Sequence, residues 1–116
     1  MDEDTIALEV REYGTTRFFY IPACARLTEG LVERLDRSDL VFFDGTLWED
    51  DEMIRHGVGV KTGQRMGHMS VSGEGGTLAS FSDLRIARKV FIHINTTNPI
   101  LIADTAERKI VDGAGW

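Results

Sequence analysis

The sequence predicts an α/β layered fold with a partly parallel sheet, on three observations. Two short, continuous apolar runs, Leu40–Phe43 and Lys89–Ile94, have the length and composition of buried strands. Segments with helical signals alternate with these runs, and such alternation favours parallel neighbours in one sheet. Near the N-terminus two further apolar runs flank a glycine turn, the signal of a β-hairpin.

Residues 6–10 (Ile-Ala-Leu-Glu-Val) are the first expected strand and residues 17–21 (Arg-Phe-Phe-Tyr-Ile) the second. Tyr13-Gly14-Thr15 supplies the turn, and Pro22, which lacks an N–H, stops the second strand. Thr28 is a candidate cap for a helix over about 29–37, with Leu31, Val32 and Leu35 on one face and Arg34 and Arg37 at the C-terminal end. After the strand Leu40–Phe43, Glu49–Glu52 opens a short helix with acids where the helix dipole favours them. Residues 57–75 are rich in Gly, Ser and Lys and read as a long loop. A helix is expected over about 76–87, and residues 89–94 form the next buried strand. A last helix over 104–113 is capped by Asp104 or Thr105 and closed by Gly113. No repeat, linker or domain boundary interrupts the 116 residues, so they are read as a single unit.

Thirteen Lys and Arg stand against nineteen Asp and Glu, for a net charge of −6. That balance argues against a nucleic-acid partner held through its phosphates. One cysteine, Cys24, rules out an intrachain disulfide and a four-cysteine zinc site within these residues. The acidic start Met-Asp-Glu-Asp lacks the features of a signal peptide, and no apolar stretch approaches the roughly 20 residues that span a bilayer. The expectation is a cytoplasmic protein that meets neither nucleic acid nor membrane.

Open α/β sheets place their sites just past the C-terminal ends of strands. Asp44 follows one buried run, where it is either a turn aspartate of an Asp-Gly pair or a site carboxylate. His93 sits near the end of the other, where it is either a core histidine bonded to a carbonyl or a ligand or base. His68, in Gly67-His68-Met69-Ser70, is either a surface loop histidine or part of a site. His56, beside Gly57, reads as a helix-terminating histidine. The histidines at 56, 68 and 93 are separated by 12 and 25 residues, so no local metal-ligand spacing occurs. Lys61-Thr62-Gly63 and Gly73-Glu74-Gly75-Gly76 match no phosphate-binding fingerprint. Met66 and Met69 are expected to pack the loop, and Trp48 and Phe91 to lie in the core.

Three segments carry a more specific signal: Phe42-Phe43-Asp44-Gly45-Thr46-Leu47-Trp48, Arg65-Met66-Gly67-His68-Met69-Ser70, and Phe91-Ile92-His93-Ile94-Asn95-Thr96-Thr97-Asn98-Pro99. With Asp50–Arg55 between the first two, their order and gaps resemble the C-terminal half of the B proteins of pyrroloquinoline quinone (PQQ) biosynthesis, within the metallo-β-lactamase superfamily. The resemblance runs over nearly the whole chain. It implies that residues 1–116 are one partial domain, the C-terminal half of an αββα sandwich. The superfamily's His-x-His-x-Asp-His motif would lie in the other half, and the piece alone is expected to fold poorly.

The resemblance also assigns roles. His93 matches the late histidine that closes the metal site. Asp44 and His68 match the acid and loop histidine that pair for proton transfer in related nucleases of the superfamily. Ser70, Asn95 and Asn98 are candidate substrate-binding neighbours. The superfamily's bridging aspartate should fall near Pro22-Ala23-Cys24, where no carboxylate stands, which favours one metal over two. The implied cofactor is iron or zinc, held only in the full-length protein, with the remaining ligands outside these residues. The implied activity is a metal-dependent hydroxylation of the tyrosine in a Glu-Tyr unit cut from a precursor peptide, and the isolated piece is expected to be inactive. Older descriptions of the family add transport of the quinone or its precursor to the periplasm. The alternatives are a hydrolase of the same fold and a non-catalytic carrier. A homodimer is left open.

Overall fold

A computed structural model describes residues 7–14 and 16–116. Strand β1 (Leu8–Glu12) pairs antiparallel with β2 (Thr16–Ile21), Leu8 opposite Tyr20 and Glu12 opposite Thr16. Tyr13 and Gly14 carry positive φ values of 53° and 75°, as a tight hairpin loop requires. The expected hairpin is present, its first strand beginning later than predicted; Ile6 and Thr15 lie outside the described residues.

Helix α1 (Glu29–Leu35) begins at the expected cap: Thr28 Oγ1 accepts from Leu31 N at 3.2 Å. It ends earlier than predicted, because Arg37 turns left-handed at φ 66° and donates its N–H to Arg85 O at 2.6 Å. Leu35 is buried and Leu31 packs on the same core, which is what the apolar face anticipated.

β3 (Leu40–Asp44) runs parallel to β2, with Phe18 opposite Leu40 and Ile21 opposite Phe43. β4 (Arg88–Ile92) runs parallel to β3 on its other side, with Asp44 opposite Ile92. The order is β1-β2-β3-β4, a mixed sheet whose last three strands are parallel. Central β3 is the most buried strand, hence its unbroken apolar run.

Helices α2 (Glu52–Arg55) and α3 (Thr77–Phe81) lie in the β3–β4 crossover, and α4 (Ala106–Gly113) ends the chain. Helix α2 is one turn, closed by His56 and by Gly57 at φ 69°. Helix α3 stops well before the predicted residue 87. Beyond it the backbone bonds across the fold instead: Arg85 N donates to Asp36 Oδ1 at 2.8 Å and Ala87 N to Ser38 O at 3.2 Å. Of the two candidate caps for α4, Thr105 is the one used; it accepts from Arg108 N at 3.1 Å. Gly113 is the last helical residue, and the left-handed glycine is Gly115, at φ 86°.

The segment 57–75 is tied down. It contains a 3₁₀ turn (Gln64–Met66), Met69 N donates to Cys24 O at 2.7 Å, and Val71 N donates to Leu47 O at 2.9 Å. Met69 is buried in the main core with Phe19, Ile21, Val41, Phe43 and Phe81. Burying each such side chain contributes about 1.5–3 kcal/mol. A second cluster joins Val71, Ile100 and Val111, with Trp48 against it. Phe91 stacks on Trp116 at 3.8 Å between centroids, and both touch both clusters. Among the described residues no helix is long and apolar enough to cross a membrane.

Candidate metal and proton-transfer centre

Parallel pairing puts the C-terminal ends of β2, β3 and β4 at one edge of the sheet, and the polar residues collect beyond it. Asp44 is the last residue of β3 and fully buried. Pairing continues past the strands, with Gly45 N donating to Ile92 O at 2.8 Å and Asn95 N to Thr46 O at 3.0 Å. A methyl group on Gly45 would lie 2.8 Å from Phe91 Cβ, so the glycine is what lets β3 and β4 close together here. His93 lies just outside β4, in the left-handed region at φ 56°, rather than within a strand between two isoleucines. His68 follows the 3₁₀ turn and Gly67, itself left-handed at φ 85°.

The fold brings Asp44, His68 and His93 together; one ligand atom of each lies within 4.8 Å of the others. Separations of 24 and 25 residues in the chain are closed by the β3–β4 register and by the tethered loop. His56 is not part of the cluster.

Asp44 accepts four hydrogen bonds. Oδ2 receives Cys24 N at 2.9 Å and His68 Nδ1 at 2.8 Å; Oδ1 receives Thr46 N at 3.0 Å and Thr46 Oγ1 at 2.6 Å. A carboxylate has about four acceptor positions, so Asp44 is saturated by protein donors. Thr46 is buried too, and its Oγ1 also lies 2.7 Å from His93 Nδ1 and 3.1 Å from His68 Nδ1. The two imidazoles stack at 5.2 Å between centroids with 19° between planes. His68 is largely enclosed and His93 is exposed, so the cluster is closed on the sheet side and open at His93. A hollow of about 190 Å³ lined by Thr46, His93, Ile94 and Asn95 adjoins it. The larger groove, about 440 Å³ between β4 and α4, contains none of the cluster and is lined by Phe91, Ile100, Val111 and Trp116 among others.

The substrate-binding candidates fall in different places. Asn95 lines the hollow beside His93, and its Nδ2 donates to Thr97 Oγ1 at 2.7 Å. Asn98 is buried and holds the fold: Nδ2 donates to Gly45 O at 2.9 Å, and Oδ1 accepts from Ile100 N at 3.1 Å. Ser70 lies in a separate hollow with Arg26, Gln64 and Glu74.

Two residues were not anticipated. Thr46 stands in the first of the three segments with no role assigned to it, although a hydroxyl two residues after a strand-end carboxylate is well placed to bond it. Glu52 is buried: Oε1 accepts from Trp48 N at 2.8 Å and Glu49 N at 3.1 Å, and Oε2 from Thr97 Oγ1 at 2.6 Å. It anchors the loop that follows His93.

Cys24 stands at the expected position after β2, beside Asp44. Burial first, and the Asp44 charge second, push its thiol up to about 11 from an ordinary 9.0. The unfolded chain therefore releases this proton first as pH rises. The thiol's contribution to stability is whole below about pH 9 and is lost progressively between pH 9 and 11. Melting temperatures of wild type and Cys24→Ala measured from pH 8 to 11 should diverge in slope, with the wild type falling faster. Parallel curves would contradict the assignment.

The family described as beta-lactamase superfamily domain matches residues 1–94. The chain belongs to the β-lactamase superfamily. It is 59% identical over 113 residues to the Coenzyme PQQ synthesis protein B of Gluconacetobacter diazotrophicus, covering 97% of this chain and 36% of that protein. The protein of the same description from Xanthomonas campestris pv. campestris is 56% identical over 115 residues, covering 99% of this chain and 38% of that one. The crystal structure of Zn²⁺-bound PqqB from Methylobacterium extorquens superposes with a TM-score of 0.90 at 52% identity, over 95% of this chain and 39% of that one. The chain thus spans 36–38% of the length of these curated relatives. The α/β architecture and the resemblance to PQQ B proteins, both expected from the sequence, are borne out.

Proposed function

We propose that the protein takes part in PQQ biosynthesis, in the cytoplasm, and that this cluster is one wall of a centre with a single metal, iron or zinc. The carrying observation is the hydrogen-bond pattern around Asp44. With its acceptor positions filled, the carboxylate orients the imidazoles rather than binding metal itself. What remains for a metal is ring nitrogen, a donor type that suits both zinc and ferrous iron. His93, exposed at the mouth, would supply the ligand. His68, backed by the Asp44 carboxylate at 2.8 Å, is held for proton transfer. The descriptions of the relatives and the zinc in the solved one support this reading.

In this reading the substrate is a peptide-derived Glu-Tyr unit, and bound iron supplies the redox chemistry for adding oxygen to its aromatic ring. The chain's own part is to hold His93 in place, to keep one proton at His68, and to leave the hollow beside Asn95 open to substrate. Purified protein containing this chain, reconstituted with ferrous iron and supplied with oxygen, a two-electron reductant and a Glu-Tyr peptide, should release a product one oxygen atom heavier, the other oxygen atom leaving as water. Turnover of a phosphodiester or lactam without that product would favour a hydrolase instead.

A further inference from the structure

We propose that the Thr46 hydroxyl is the positioning group for His93, holding it in the Nδ1–H tautomer as Asp44 and Thr46 together hold His68, so that both Nε2 atoms stay bare. The observation is one of hydrogen accounting. A hydroxyl has one proton and two acceptor positions. Thr46 Oγ1 has three polar side-chain neighbours: Asp44 Oδ1 at 2.6 Å, His93 Nδ1 at 2.7 Å and His68 Nδ1 at 3.1 Å. Ionised Asp44 can only accept, so the hydroxyl proton goes to it. The two acceptor positions are then left for the two imidazoles, and each must donate from Nδ1. His68 Nδ1–H is shared with Asp44 Oδ2 at 2.8 Å, whereas His93 has no side-chain partner but Thr46 among the described residues.

Neither Nε2 has a hydrogen-bond partner among the described residues; no buried polar atom of an enclosed side chain among them is left unbonded, so His68 Nε2 reaches solvent, and His93 is itself exposed. For His93 this oxygen does what a separate second partner does in many metal sites, fixing which nitrogen is free, and for His68 it shares that task with Asp44. It also explains why rings from distant segments stack. Thr46 serves the proposed metal reading, but its effect on the tautomers stands without any metal.

The test is the ¹⁵N chemical shifts of the imidazoles in metal-free protein, at about pH 8.5, two units above the ordinary imidazole value of about 6.5. In the wild type both histidines should show a protonated Nδ1 and a bare Nε2. In Thr46→Val, His93 should move to the Nε2–H form that free imidazole favours in water, while His68 stays in place through Asp44. Thr46→Ser, which keeps the hydroxyl, should restore the wild-type pattern. Zinc titration of full-length protein carrying the same substitutions should give about tenfold weaker binding for Thr46→Val and recovery for Thr46→Ser. A wild-type His93 with its proton on Nε2, or a Thr46→Val variant with unchanged His93 shifts, overturns the proposal. The wild-type measurement decides the matter even where Thr46→Val fails to fold. Wild-type full-length protein containing this chain that binds no zinc while showing the expected tautomers would overturn the metal reading and leave the role of Thr46 standing.

Discussion

Asp44→Ala is expected to cost at least about 3 kcal/mol of folding stability, a large part of the roughly 5–15 kcal/mol a domain of this size holds. Four donors lose their acceptor at once: the N–H groups of Cys24 and Thr46, the Thr46 hydroxyl and His68 Nδ1. The site is fully buried, so water does not readily replace the carboxylate. Each orphaned buried group costs about 1–3 kcal/mol, and the sum is less than additive because the groups share one cavity. Asp44→Asn should do little better, since its amide turns an N–H₂ toward N–H donors. Asp112→Ala, which removes only an exposed ion pair with Arg108, should change stability by less than about 0.5 kcal/mol. Urea denaturation of the three variants gives the comparison. An Asp44→Ala midpoint close to wild type would show that the carboxylate does not hold the strand ends together.

How much of this was legible in the sequence depended on distance along the chain. Strand β3 was readable because a central strand covered on both faces has no polar alternation to blur it; β4, expected to be buried, is half-buried at the end of the described sheet, and its apolar run Val90–Ile92 was enough to mark it. The cap at Thr28 was readable because its partner is three residues away. Helix α3 was overestimated because what ends it, Asp36 bonding Arg85 N, comes from 49 residues earlier. The site shows the same division. Local ligand spacing argued against a histidine cluster, and only the resemblance set His68 and His93 in one centre. What joins them is the parallel register of β3 with β4, which carries Asp44 to Ile92 and so Thr46 to His93. The role of Thr46 went unread because the two imidazoles it bonds are 22 and 47 residues away.

His93→Gly should separate function from folding in this centre. His93 holds φ 56°, a region that costs a side chain about 1 kcal/mol or more and costs glycine nothing. Relieving that strain offsets the loss of one hydrogen bond to Thr46, also worth about 1 kcal/mol. Stability should therefore stay within about 1 kcal/mol of wild type. The proposed metal site loses its ligand outright, so zinc affinity should fall by about 100-fold or more, beyond the tenfold expected for Thr46→Val. Calorimetric zinc titration beside a thermal melt reads both quantities on one sample. Zinc binding unchanged in a well-folded His93→Gly protein would remove His93 from the centre. A collapse of stability would instead mean that the imidazole is there to hold the loop, and that the left-handed backbone is a consequence of packing. A strained, exposed histidine that the fold would hold as well with glycine is otherwise hard to account for except by what its free nitrogen binds.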